Sequence, residues 1–235
     1  MAVTKMLKLI CLEMKKHKMF GYIKAAFIAN IIMILLACII PIIERIEGEE
    51  YFINFEMMFM MINTMVRGTF IIFSGVLIAK LIIDEYKKKT MQLLFMYPQK
   101  RHKFILAKLV IVSLFTFLSV VLSNFIVSAA FYGINSIAHL ITDQLTLEFI
   151  LEQAITVLFS AVSLAGIGLI PLYFGMIKKS VPATIVSAIL LSSVIGSNFA
   201  GFSLFNVVAI PVTLAAIGFI FAYLSFRNIE NVDVL

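Results

Sequence analysis

FILAKLVIVSLFTFLSVVLSNFIVSAAFYGI, residues 104–134, carries a single charge, Lys108, in an otherwise apolar or mildly polar run. A hydrocarbon core about 30 Å thick is crossed by a helix of about 20 such residues, so this run is long enough to span a bilayer. Similar runs at about 21–43, 57–83, 150–175, 181–198 and 205–226 give six predicted spans. The predicted fold class is therefore an all-α polytopic membrane protein, a single transmembrane domain over residues 1–235. Composition agrees: 62% of residues are hydrophobic, 14% are charged, and the mean hydropathy is +1.08, whereas soluble domains average about 45–50% apolar and about 25% charged. The ten-residue alternation of a membrane β-barrel is absent.

Charge orients the spans. Of the 19 Lys and Arg residues, 17 fall in the segments 1–24, 80–108, 178–179 and 227–235, while Glu44, Glu47, Glu49, Glu50, Glu56, Asp143, Glu148 and Glu152 fall at or near the opposite ends of the spans. Cationic loops stay cytoplasmic, which predicts both termini inside. The formal charge of +6 thus reflects membrane orientation and not nucleic-acid binding, since the basic residues flank apolar runs. The excess of Lys over Arg fits an AT-rich bacterial genome, so the expected location is a bacterial plasma membrane. Tyr22, Tyr86, Tyr132, Tyr173 and Tyr223 sit near span ends, as amphipathic aromatics do at interfaces.

Residues 3–18 place Val3, Met6, Leu7, Ile10 and Met14 at helical spacing, with Lys5, Lys8, Lys15 and Lys16 elsewhere. Such a segment is either an interfacial amphipathic helix held to anionic lipid or a plain positive flank. The apolar run that follows is too long for a signal peptide and is expected to stay in the mature protein, ending at Pro41 and the acidic ERIEGEE. Thr146 suits the cap of a short helix entering the fourth span, and Ser180 and Pro182 suit a helix start. The glycine-containing AGIGLIPLYFG at 165–175 points to close helix packing or a kink at Pro171. Cys11 and Cys38 read as apolar packing residues.

Catalytic signatures are missing. His17, His102 and His139 lie far apart in sequence and give no metal-ligand spacing; there is no GxSxG, HExxH or GxxxxGK[ST] run. Any nucleotide that powers this chain is bound by another.

The most charged stretch is DEYKKKTMQLLFMYPQKRHKFILAK, residues 84–108. Thr90 can cap a short helix that Pro98 prevents from continuing, and Met91, Leu93, Leu94, Phe95 and Met96 give it an apolar side. Such a cytoplasmic helix either inserts into a partner's groove or rests on lipid headgroups. The spacing E-x4-T-x2-LL-x3-P-x2-R-x6-K, carried by Glu85, Thr90, Leu93, Leu94, Pro98, Arg101 and Lys108, resembles the first cytoplasmic loop of ABC type-2 permeases. The six-span layout is similar too, and the small size and basic N-terminal helix look most like the bacteriocin or lantibiotic immunity permeases of that family. Lys89 departs from the pattern, where the family often has Gly.

The resemblance implies a permease subunit of an ABC exporter, not itself an enzyme, paired with a second permease as a homodimer or heterodimer. It would bind no cofactor directly; ATP and Mg would sit in two copies of a partner ABC ATPase. The loop would be the coupling helix, with Leu93 and Leu94 as its foot, seated by Thr90 and Pro98, and with Glu85 and Arg101 fixing its angle. The cargo implied is an amphipathic peptide antibiotic or lipophilic compound, taken from membrane lipid for immunity, resistance or secretion. The rival readings are a membrane sensory protein whose loop docks a regulator, and an ion-driven secondary transporter; scarce intramembrane carboxylates argue against the latter.

Arg67 breaks the second span. Counted from residue 57 it lies about 15 Å deep, where arginine costs about 2.5–3.5 kcal/mol and marks function by default; if the span starts nearer Gly68, it snorkels outward. Asn63, Met57, Met61 and Met65 join it as substrate-path candidates, because methionine surfaces adapt to varied apolar ligands. Plain lipid-facing filler is the competing role for the methionines. Asn63, Asn124, Asn198 and Asn206 are expected to bond between helices.

Overall fold

A computed structural model describes residues 2–17, 19–47, 54–87, 101–138, 141, 146–196, 198–199, 202–203, 205 and 207–227. Among these the chain is almost wholly helical. A 15-residue helix α1 (Ala2–Lys16) precedes α2 (Phe20–Glu47). Helix α3 (Phe55–Ile78) runs on without a break through a π-helical segment, Ala79–Ile83, and a last α turn, Asp84–Lys87. Then follow α4 (Arg101–Ala138), α5 (Leu147–Ile167), α6 (Ile170–Lys178), α7 (Val181–Gly196) and α8 (Ala209–Arg227).

Four stretches are long and apolar enough to cross a membrane: Phe20–Glu44, Phe55–Lys87, Phe104–Ala138 and Leu147–Lys178. Two shorter apolar helices, Val181–Gly196 and Ala209–Ser225, complete the set among the described residues. The chain is a polytopic helical membrane protein. Its one departure from an all-α architecture among these residues is a two-residue antiparallel pairing, Asn198 with Ser203 and Phe199 with Phe202, beyond the end of α7.

Helix α3 is the centre. Phe70, Ile71, Leu77 and Ile78 are fully buried, and α3 packs against α2, α4, α5, α6 and α7. By contrast, α2 shows Phe27, Ile31, Leu35 and Ile39 on its exposed side, as expected of a helix bordered by lipid.

Small residues set the helix spacing. A Cβ on Gly75 would overlap Ala188 of α7, one on Gly175 of α6 would overlap Thr184 of α7, and one on Gly218 of α8 would run into the Gly166 carbonyl of α5. Lipid tails offer no hydrophobic gain for helix association, so close backbone approach of this kind supplies the packing. The 165–175 run is thus a close-packing element. Its helical break lies at Gly168–Leu169; Pro171 sits in the first turn of α6, where its missing N–H costs nothing.

Other local expectations change. The helix continues through Pro41 to Glu47, since the neighbouring helices of a membrane bundle tolerate a lost backbone bond. Thr146 caps the long α5 directly, its hydroxyl accepting from the Phe149 amide at 3.4 Å. Asn124 bonds the Val120 carbonyl of its own helix at 3.0 Å, not a neighbour. The Asn198 side chain and Asn206 lie outside the described residues.

Replacing Gly218 with Val should destabilise the bundle, because its Cβ meets rigid backbone; overpacking costs about 1–3 kcal/mol. Gly133→Ala, with nothing within 4 Å of the new methyl, should be neutral or slightly stabilising. Thermal melts of both variants in detergent check the contrast.

Candidate functional site

Two polar clusters interrupt the apolar bundle. The first lies where α1 meets the lower ends of α3 and α4. Lys108 has a fully buried side chain, which forces its ammonium to find acceptors. It donates to the Leu81 carbonyl within the π-helical segment at 2.7 Å and forms an ion pair with the Glu85 carboxylate. Glu85, also buried, accepts from Lys16 at 2.7 Å and contacts His17 Nε2 at 2.8 Å. Glu13 completes the group, with Oε2 3.5 Å from His17 and 3.6 Å from Lys108.

Local sequence builds this arrangement. Glu13 and His17 are one helical turn apart, so one face of α1 carries both toward the bundle. The π-helical segment, a form found mostly as single turns at functional sites, lies directly before Glu85. Ligand atoms of Glu13, His17 and Glu85 lie within 4.8 Å of one another, a spacing a divalent ion would accept. The ammonium groups of Lys108 and Lys16 already supply the compensating charge there, so the donor set does not fit a metal.

The Glu85–Lys108 pair joins the last turn before residue 88 to α4 two turns after Arg101. Thr90, Leu93, Leu94 and Pro98 lie outside the described residues. Arg101 opens α4, and its side chain is likewise outside them.

The second cluster lies in the opposite half of α3. Arg67 is 4% exposed. Its Nε donates to the Asn63 carbonyl at 3.2 Å, and its guanidinium carbon lies 4.4 Å from the centroid of the Phe205 ring. Asn63 reaches Gln153 of α5 at 3.5 Å. Among the described residues no carboxylate lies within ion-pair distance of Arg67, Glu56 and Glu152 included. A charged hydrogen bond contributes about 1.5–3 kcal/mol and a desolvated cation–π contact about 2 kcal/mol. Together they match the insertion cost of an arginine, yet they leave its charge without a counter-charge.

The methionines do not join Arg67 in one surface. Met57 is exposed; Met61 is half-buried, and Met65 lines a groove with Ala29, Met33 and Leu36 of α2. Met58 is fully buried in the core. A separate open apolar groove between α4, α5 and α8, lined by Leu109, Leu114, Phe117, Val162, Leu169 and Phe219, presents little beyond hydrocarbon. Sequence reasoning missed Glu13, His17, Gln153 and Phe205. Only the i, i+4 spacing of Glu13 and His17 offered a signal.

Against known families, a profile described as "ABC-2 family transporter protein" matches residues 9–196, which takes in the second half of α1, the helices α2 to α7 and every member of the two polar clusters except Phe205. The chain belongs to the ABC-2 transporter family. An uncharacterized protein of Bacillus subtilis (strain 168), YcbO, is 42% identical over 227 residues, covering 97% of this chain and 100% of that relative. No solved structure matches. As an ABC-2 family member, the chain is a multi-pass membrane subunit of an ABC transporter, and the family implies an ABC ATPase partner.

Removing one member of a buried ion pair costs about 3–5 kcal/mol, whereas replacing both by apolar groups can be nearly neutral. Lys108→Met should therefore destabilise the chain strongly. The double variant Lys108→Met/Glu85→Leu should recover a large part of that loss. A double-mutant cycle by thermal or denaturant melting in detergent measures the coupling.

Proposed function

We propose that this chain is the permease of an ABC exporter that moves an amphipathic peptide antibiotic or related lipophilic compound out of the membrane. Two copies of a separate ATPase, holding ATP and Mg, drive a permease homodimer or heterodimer in a bacterial plasma membrane. In this reading α7 and α8 join the four long helices as the fifth and sixth spans, and both termini are cytoplasmic.

The observation that carries the proposal is the buried Glu85–Lys108 pair, which joins the helices on either side of residues 88–100. A lever that takes force from a partner must not bend at its root. The buried Glu85–Lys108 pair ties the end of α3 to the start of α4, and Lys16 and His17 bind α1 to the same point. Leu93 and Leu94 are the apolar foot that seats in the ATPase; Thr90 and Pro98 delimit the foot. Glu85 acts as a positioning residue, since its carboxylate is buried within this chain, and Arg101 orients the return into α4. Motion of the stapled unit is passed directly to α3, which packs against most of the other helices.

The peptide or lipophilic cargo rests on the resemblance to immunity permeases. Asn63, Arg67 and the methionines Met57, Met61 and Met65 of α3 are its candidate path. Immunity and secretion both fit outward transport of such a compound.

Leu93→Asp or Leu94→Asp should leave membrane insertion intact and abolish the stimulation of ATPase activity by cargo. A docked leucine contributes about 1.5–3 kcal/mol by burial, so binding of the ATPase should weaken by at least about tenfold. The assay is co-purification of the ATPase with reconstituted transport. Normal coupling in both variants, or no ATPase bound to the unsubstituted chain, would overturn the proposal.

A further inference from the structure

The Arg67 cluster has a geometry that helix packing does not account for. Gly75 of α3 lies against Ala188 of α7, and the two helices run antiparallel. A hydroxyl bond from Ser192 to the Gly68 carbonyl at 3.0 Å places Arg67 about one turn short of the last residue of α7, Gly196. Beyond it α7 stops, the chain makes the short pairing at Asn198–Ser203, and Phe205 returns to lie over the guanidinium.

Depth follows from the ion cluster at the other end. Taking Ile83, just before Glu85, as the cytoplasmic boundary, about 20 residues of helix cross the core and reach Asn63. Arg67 then lies about 6 Å below the outer boundary. Its Nε bond to the Asn63 carbonyl turns the guanidinium toward that boundary. Arg67 and the Phe205 ring over it thus lie within a side chain's reach of the headgroup layer.

A guanidinium has five N–H donors in a planar fork. Among the described residues, only Nε is bonded to protein and no counter-charge faces the group. Beside it, Asn63 Oδ1 is buried without a hydrogen bond, an acceptor suited to a hydroxyl or amine. Leu190 and Val194 on α7 expose apolar surface nearby.

From this we infer that Arg67, with Asn63 as neighbour and Phe205 as cover, receives the phosphate-type anionic head of an outer-leaflet amphiphile. The free NH2 edge of the guanidinium takes two oxygens side by side, the arrangement that favours arginine at phosphates and carboxylates. The apolar tail of the ligand stays in lipid beside α7. The inference uses the orientation proposed above and not the export activity, so the two stand or fall by different measurements.

The chain contains no tryptophan, so Phe205→Trp places a single reporter over the site. The full-length variant is reconstituted in phosphatidylcholine bilayers and titrated with phosphatidylglycerol, with inorganic phosphate in a parallel series. Saturable change of the Trp emission with phosphatidylglycerol is expected, with the half-point raised about tenfold or more when Arg67→Gln is added. Saturation by inorganic phosphate as well would assign the site to free anions of the same chemistry. Identical titrations with Arg67 and with Gln at that position, or no saturable response to either anion, would overturn the inference. Should the reporter variant fail to fold, native mass spectrometry of the unsubstituted chain gives the same decision. Retained phosphatidylglycerol should persist in Arg67→Lys and fall in Arg67→Gln, and equal retention in all three proteins would refute it.

Discussion

A lysine with no exposed side-chain surface must be neutralised where it lies, and for Lys108 the counter-charge is Glu85. That requirement organises the end of the molecule where α1, α3 and α4 meet. It fixes the register of α3 against α4, because the ammonium must also reach the Leu81 carbonyl. It recruits α1, whose Lys16 and the adjoining His17 reach the other oxygen of the same carboxylate. An amphipathic helix that could have floated on the membrane surface is thereby built into the bundle. Since a buried ion pair contributes little net stability but is costly to break, its value here lies in specifying one arrangement.

The same helix that receives this staple carries the polar cluster around Arg67. Between the two, α3 is packed by glycine contacts at Gly75 and by the Ser74 hydroxyl, which bonds the Gly168 carbonyl at 3.1 Å. Such close contacts leave little room for α3 to bend. A displacement at the Glu85 end of α3 would then be carried as movement of the whole rod to the Arg67 end without any chain of specific side-chain signals.

Hydropathy alone gave the four long apolar helices, because each is a long run whose polarity differs sharply from the segments around it. The loop motif was legible as a spacing, and Glu85 and Lys108 stood at its two ends. Their pairing was not legible, since it needs α3 and α4 to lie side by side, and residues 23 apart give no local signal. Glu13 was hidden inside a helix read for its lysines. Arg67 was conspicuous, but its cover, Phe205, sits 138 residues later in a turn that has no periodicity to read. The methionines were visible as a crowd, but composition does not report facing: Met57 is exposed, Met61 half-buried, and Met65 borders α2.

If the ion cluster makes α1, the end of α3 and the start of α4 one body, their separations must stay fixed while the outer turn moves. Pulsed electron–electron resonance tests this with spin labels at Leu12 on α1 and Lys87 at the end of α3, both exposed, in a chain with Cys11 and Cys38 replaced by Ser. The Leu12–Lys87 distance should stay the same through ATP binding and hydrolysis by the assembled transporter, while the distance from Leu12 to Val208 changes. A Leu12–Lys87 distance that shifts with nucleotide while Leu12–Val208 holds steady would contradict the account.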